Sequence, residues 1–183
     1  MTILQGYDKQ IYDTIRAEYP YNQMLPYLII AQARLESGNY KSNASKGNNF
    51  FGLKLNNISK SFGAYEGIAA SDGGSYCAFP TVRQGILAQV YLYRQGGLYS
   101  GILNATTSKE FCDYLANGGY TYGQYMRDYY TSIPSIMQKV ILEHPEILEP
   151  FIEDGQKKNQ LFGGARWGSF SWVIAVRSKL LHF

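Results

Sequence analysis

The sequence predicts an α+β domain that is mainly α-helical and carries one small β-hairpin lobe. Three observations lead there. Apolar residues recur at helical spacing in several separate segments. One Gly-rich stretch flanked by Tyr, Ile, Cys and Phe is the only convincing strand region. The 183 residues are 45% hydrophobic, enough for one sizeable core with at most a small appendage.

The elements follow in order. "YDKQIYDTIRAE" (7–18) sets Ile11 and Ile15 on one helical face, and Pro20 stops it. Asn22 can cap a second helix whose Pro26 sits near the first turn. Leu25, Leu28, Ile29, Ala33 and Glu36 then share roughly one side. From Asn39 to Lys54 the Asn, Ser, Lys and Gly residues read as a loop, pinned to the core by Phe50-Phe51. "SFGAYEGIAASDGGSYCAFPT" (61–81) reads as the hairpin, with Asp72-Gly73-Gly74 in its middle. "VRQGILAQVYLYR" (82–94) is an amphipathic helix with Ile86, Leu87, Val90 and Tyr91 or Leu92 inward. Thr107 and Glu110 form a capping box for "KEFCDYLAN", which Gly118-Gly119 closes. After the Tyr-rich "YTYGQYMRDYY", a last helix starts at Pro134 and ends before Pro145.

Composition excludes several functions. The net charge is +3 with basic residues scattered, so no nucleic-acid stripe or arm is visible, although a mild positive balance suits a polyanionic surface. Cys77, Cys112, His144 and His182 fit no metal spacing, so neither a metal nor another cofactor is expected. The two cysteines read as buried thiols, paired only if the fold brings them together. The start "MTILQGYDKQIYDTI" lacks the basic and long apolar regions of a secretory signal, and no apolar run is long enough to span a membrane. A soluble chain is expected, one that another agent carries to any site outside the cytoplasm. Seventeen tyrosines supply flat faces and hydroxyls suited to sugars, cores or interfaces alike.

Glu36 is the residue that calls for explanation. A carboxylate ending an apolar helix is costly to ionise, which raises its pKa toward the range where it can protonate a leaving group near neutral pH. A glycosidic general acid needs this property. Spacing alone leaves other readings open: a pairing with Arg34 or Lys54, or a side chain that simply extends outward.

The surrounding residues narrow the choice. Leu35-Glu36-Ser37-Gly38, Ser42 and Ser45, and then Asn48-Asn49-Phe50-Phe51-Gly52-Leu53-Lys54 resemble the signature of the bacterial glucosaminidases of glycoside hydrolase family 73. "AFPTVRQGI" and "GGYTYG" resemble later family segments, so the resemblance covers about residues 5–143 and weakens after Leu55. It implies a lysozyme-like fold and a peptidoglycan hydrolase that cleaves the β-1,4 bond after N-acetylglucosamine. Glu36 would be the general acid, and Tyr120, rather than Tyr122, the tyrosine beside the scissile sugar. Glu66 or Asp72 would supply a second carboxylate, with Glu66 preferred because Asp72 sits where a turn favours Asp for backbone reasons. If neither is essential, the substrate's acetamido group could act as nucleophile. Ser37, Asn48, Asn49, Phe51, Asp72 and Tyr122 would line the site, the asparagines bonding either backbone or the acetamido group.

Two rivals remain at this point. A lytic transglycosylase or muramidase of the same superfamily shares Glu-Ser-Gly after a helix, but the transglycosylases continue toward Gly-Leu-Met-Gln. A non-catalytic wall-binding or structural part of a virion or secretion apparatus could keep the fold without activity. On either enzymatic reading the partner is a peptidoglycan strand at the cell wall or periplasm, reached by way of a phage, a secretion system or lysis.

Residues 1–145 form the expected catalytic domain and 146–183 an extension. Its "WVIAVRSKLLHF" end joins apolar and basic groups, suited to packing on the domain or to docking on a virion, secretion-system or membrane surface.

Overall fold

The computed structural model describes residues 6–70, 73–95, 101–121 and 123–143. Asp72, Tyr122 and the extension from residue 146 lie outside them.

Helix α1 (Tyr7–Glu18) buries Asp8, Ile11, Thr14 and Ile15, the i, i+3, i+4 pattern its sequence carries. Helix α2 (Leu25–Glu36) begins as Asn22 Oδ1 accepts the amides of Met24 and Leu25, each at 3.1 Å. The Asn22 amide group also donates to the carbonyls of Leu103 and Ala105, at 2.9 and 3.0 Å, so one side chain caps the helix and ties it to a distant turn. Every residue from Leu25 to Ala33 is buried. The expected single apolar side is therefore a helix buried all round, as befits the central element of a bundle. It packs on α1 and most extensively on α6. Each large side chain so buried stabilises the fold by roughly 1.5–3 kcal/mol.

A loop with one 3₁₀ turn (Ala44–Gly47) leads to the short helix α3 (Asn57–Ser61), whose Asn56 and Ser59 form a reciprocal capping box. Strands β1 (Tyr65–Ala69) and β2 (Ser75–Ala78) make the antiparallel hairpin, Tyr65 facing Ala78 and Glu66 facing Cys77, with a bulge before Ala69. All of β1 is exposed. The lobe is anchored through β2, where Cys77 and Phe79 pack with Ala88, Leu53, Leu55, Phe62 and Ala64.

Thr81 caps α4 (Val82–Arg94), its hydroxyl accepting the Gln84 amide at 3.2 Å. Ile86 and Val90 point inward as expected. Leu87 is half-buried, and Tyr93 takes the inward place rather than Tyr91 or Leu92, because it lies one helical turn beyond the fully buried Gln89. The Thr107–Glu110 box opens α5 (Ser108–Asn117) as the sequence predicts.

The last helix differs from expectation. It is α6 (Gly123–Glu143), and Pro134 lies inside it rather than at its start. Proline takes its own amide out of the ladder and its ring crowds the carbonyl one turn earlier, a cost of about 3 kcal/mol or more, and the inward stripe of Met126, Tyr129, Ile133 and Val140 holds the helix against α2 and α5 across that gap. Among the described residues no helix is long and apolar enough to cross a membrane, and no group of side chains could hold a metal ion. Both cysteines are free, buried thiols.

Candidate active site

The central helix delivers Glu36 to the surface. Its preceding turns are buried, but Glu36 itself is exposed, so the expected enclosure among apolar side chains is replaced by an open position backed by tyrosines. Tyr129, from the inward stripe of α6, donates its hydroxyl to Glu36 Oε1. Tyr120 follows the glycine pair that ends α5, its amide bonded to the Leu115 carbonyl at 3.0 Å. Its hydroxyl lies within reach of the same carboxylate, and its ring meets that of Tyr129 edge-on, with centroids 6.1 Å apart.

Behind them, Tyr93 donates to Gln32 Oε1 at 2.7 Å, and Gln32, one helical turn before Glu36, lies beside the Tyr129 hydroxyl, its own buried Nε2 without a hydrogen-bond partner among the described residues. The result is a polar column running from the buried centre of α2 to its exposed carboxylate. Arg34 is taken up by Asp8 and Glu143, and Lys54 donates to the Gly73 carbonyl, so neither supplies the ion pair that spacing left open for Glu36.

The electrostatics follow from this arrangement. Desolvation by the surrounding protein pushes the Glu36 carboxyl above its ordinary pKa, while the hydrogen bonds from Tyr129 and Tyr120, which favour the ionised form, pull the other way. The rise prevails. Burial and the neighbouring carboxylate push both tyrosine hydroxyls far up, so they keep their protons and serve Glu36 only as donors. A carboxyl whose acid form is favoured in this way is better suited than a free glutamate to pass a proton to a bound leaving group.

The loop that follows is shaped from within. Ser37, 1% exposed, donates to the Ala33 carbonyl at 2.5 Å and accepts the Tyr40 amide at 2.8 Å. Asn49, also 1% exposed, donates to the carbonyls of Leu53 and Cys77, each at 2.8 Å, while its Oδ1 accepts the Leu53 amide. Phe51 is 4% exposed and belongs to the core, as does Phe50. These three proposed sugar contacts thus have their polar atoms or rings engaged inside the protein, where they fix the loop. Asn48 is half-buried and donates to the Phe79 carbonyl at 2.9 Å. Its own carbonyl passes so close to α4 that a Cβ on Gly85 would lie 2.2 Å from it, so glycine is required there. Glu66 is exposed on β1, where its Oε1 accepts the Ser75 hydroxyl at 2.8 Å.

Sequence reasoning missed Tyr129, Tyr93 and Gln32. The signal was present: extending the helical spacing back from Ile133 reaches Tyr129 and Met126, and Gln32 stands four residues before Glu36.

Comparison with known proteins bears on the fold and the family. The glycoside hydrolase domain of Salmonella typhimurium FlgJ superposes with a TM-score of 0.59 at 18% identity, covering 82% of this chain and 96% of that one. A peptidoglycan hydrolase mutant from Sphingomonas sp. A1 gives 0.52 at 16% identity, covering 73% of this chain and 92% of that one. At such identities the likeness concerns the fold, which is the lysozyme-like fold the sequence resemblance implied. A search of curated proteins found no match. The sequence model for the glucosaminidases, described as mannosyl-glycoprotein endo-beta-N-acetylglucosaminidase, matches residues 12–142, a span that includes Glu36, both tyrosines and the whole hairpin. By that match over most of its length, this chain belongs to the glucosaminidase family and is a glycoside hydrolase.

Proposed function

We propose that the protein hydrolyses the β-1,4 bond after N-acetylglucosamine in peptidoglycan, at the bacterial cell wall, with Glu36 as general acid. The observation that carries this reading is the exposed Glu36 carboxyl, its pKa raised and its orientation held by Tyr129 and Tyr120. Family membership and the likeness to a structure described as a peptidoglycan hydrolase support the choice of substrate.

In the reaction, Glu36 gives its proton to the glycosidic oxygen as the bond to the anomeric carbon breaks. Positive charge grows on the sugar ring, and water completes the cleavage. Glu66 supplies the second carboxylate, positioned by Ser75, to activate or orient that water. Tyr120 borders the reacting sugar.

Mass spectrometry of fragments from purified wall tests the bond cleaved. Reducing-end N-acetylglucosamine is expected. An anhydro sugar would indicate a transglycosylase, and reducing-end N-acetylmuramic acid a muramidase; either result overturns the proposal.

The pH profile tests the acid. Glu36 works protonated, so activity falls as pH rises through its pKa. Tyr129→Phe removes a hydrogen bond that favours the ionised form, and Glu36 then holds its proton to higher pH. The alkaline limb of kcat/KM is expected to move upward in the Phe variant. A downward or absent shift would disconnect Tyr129 from the acid.

A further inference from the structure

The three residues after Ser37 all take left-handed backbone angles, with φ of 57° at Gly38, 58° at Asn39 and 65° at Tyr40. Glycine and asparagine tolerate this region, but an aromatic residue there is an outlier that persists only when its surroundings over-determine it. Those surroundings are on hand. The Tyr40 hydroxyl donates to Asp8 Oδ1 at 2.5 Å, and its ring packs against Tyr7 and Phe50, with centroids 5.2 and 5.1 Å away. Asp8 is buried and is gripped by two guanidinium nitrogens of Arg34. Arg34 stands two residues before Glu36 on α2 and bonds Glu143 at the end of α6 at 2.8 Å. The turn itself closes the helix: the amides of Lys41 and Ser42 both donate to the Ser37 carbonyl, at 3.0 and 2.9 Å.

We propose that Asp8, Arg34 and Tyr40 act as positioning residues, a clamp that holds the left-handed turn shut and so aims the Glu36 carboxyl. This rests on Glu36 being the acid. With the hydroxyl released, the backbone at Tyr40 relaxes toward ordinary angles, the Ser37 carbonyl loses its two amides, and the last turn of α2 frays where the acid sits. Chemistry suffers more than binding, since a misplacement of the acid by even about 1 Å can cost up to roughly a hundredfold in rate.

The test uses the full chain as wild type, Tyr40→Phe and Asp8→Asn, with Tyr21→Phe, a tyrosine 97% exposed, as control. At a temperature where all are folded, Tyr40→Phe and Asp8→Asn are expected to lose about tenfold or more in kcat on peptidoglycan fragments with KM within about twofold. The Lys41 and Ser42 amides should exchange with solvent at least about tenfold faster in both, and the control should match wild type. Tyr40→Phe keeps the ring packing, so the question stays decidable even if Asp8→Asn does not fold. Wild-type kcat in folded Tyr40→Phe, or unchanged exchange at both amides, overturns the clamp. Exchange needs no turnover: a wild type that leaves the glycan intact refutes the glucosaminidase reading, while the exchange rates still judge the clamp.

Discussion

Glu36→Gln is expected to reduce glycan cleavage by about a thousandfold or more while leaving the thermal midpoint close to wild type. Glutamine has nearly the volume of glutamate, and its amide oxygen can still accept the Tyr129 hydroxyl, so that contact is kept. It carries no proton that can be passed to a glycosidic oxygen. Because residue 36 is exposed, the change also leaves the core untouched. Rates on purified wall, with melting curves on the same preparations, check both halves. A folded variant that cuts at the wild-type rate would sink the assignment of the acid.

Glu66→Gln is expected to cost about a hundredfold in kcat, the scale of a carboxylate that activates or orients water. Its stability should change little, because every residue of β1 is exposed and the lobe is anchored through β2 instead. Asp72→Asn serves for comparison, since a turn aspartate is favoured for backbone reasons and its loss has little effect on rate. Small, equal losses in both variants would remove the second carboxylate from the mechanism and assign the nucleophile to the substrate's acetamido group.

The helices with conventional boundaries could be read from the chain. Asn22, Thr107–Glu110 and Gly118-Gly119 act through local hydrogen bonding and Pro20 through its missing amide and fixed ring, and local rules suffice for them. Pro134 misled for the complementary reason: a proline favours a helix start locally, and only packing against α2 and α5 carries α6 through it. The choice between Tyr91, Leu92 and Tyr93 likewise depends on which helix α4 meets.

At the proposed site, Glu36 draws attention in the sequence as the carboxylate that ends an apolar helix and opens the Glu-Ser-Gly motif. Its setting is not legible there. Tyr129 lies 93 positions away and reaches the Glu36 carboxyl only once α6 packs on α2. Asn49 and Phe51 stand in the same motif as Glu36, which made them resemble ligand contacts. Their burial shows that part of the motif encodes the loop's own architecture, a distinction that spacing cannot make.

The two thiols have a consequence for where such a domain can operate. Cys77 and Cys112 are each 1% exposed and unpaired, and burial raises the pKa of both, that of Cys112 to about 12. The reactive form of cysteine is the thiolate, and these two remain protonated and out of reach of oxidant or glutathione. The described fold is therefore indifferent to redox potential. Its covalent structure is the same among reducing thiols as in an oxidising compartment, needing neither a disulfide isomerase to complete it nor a reductase to preserve it.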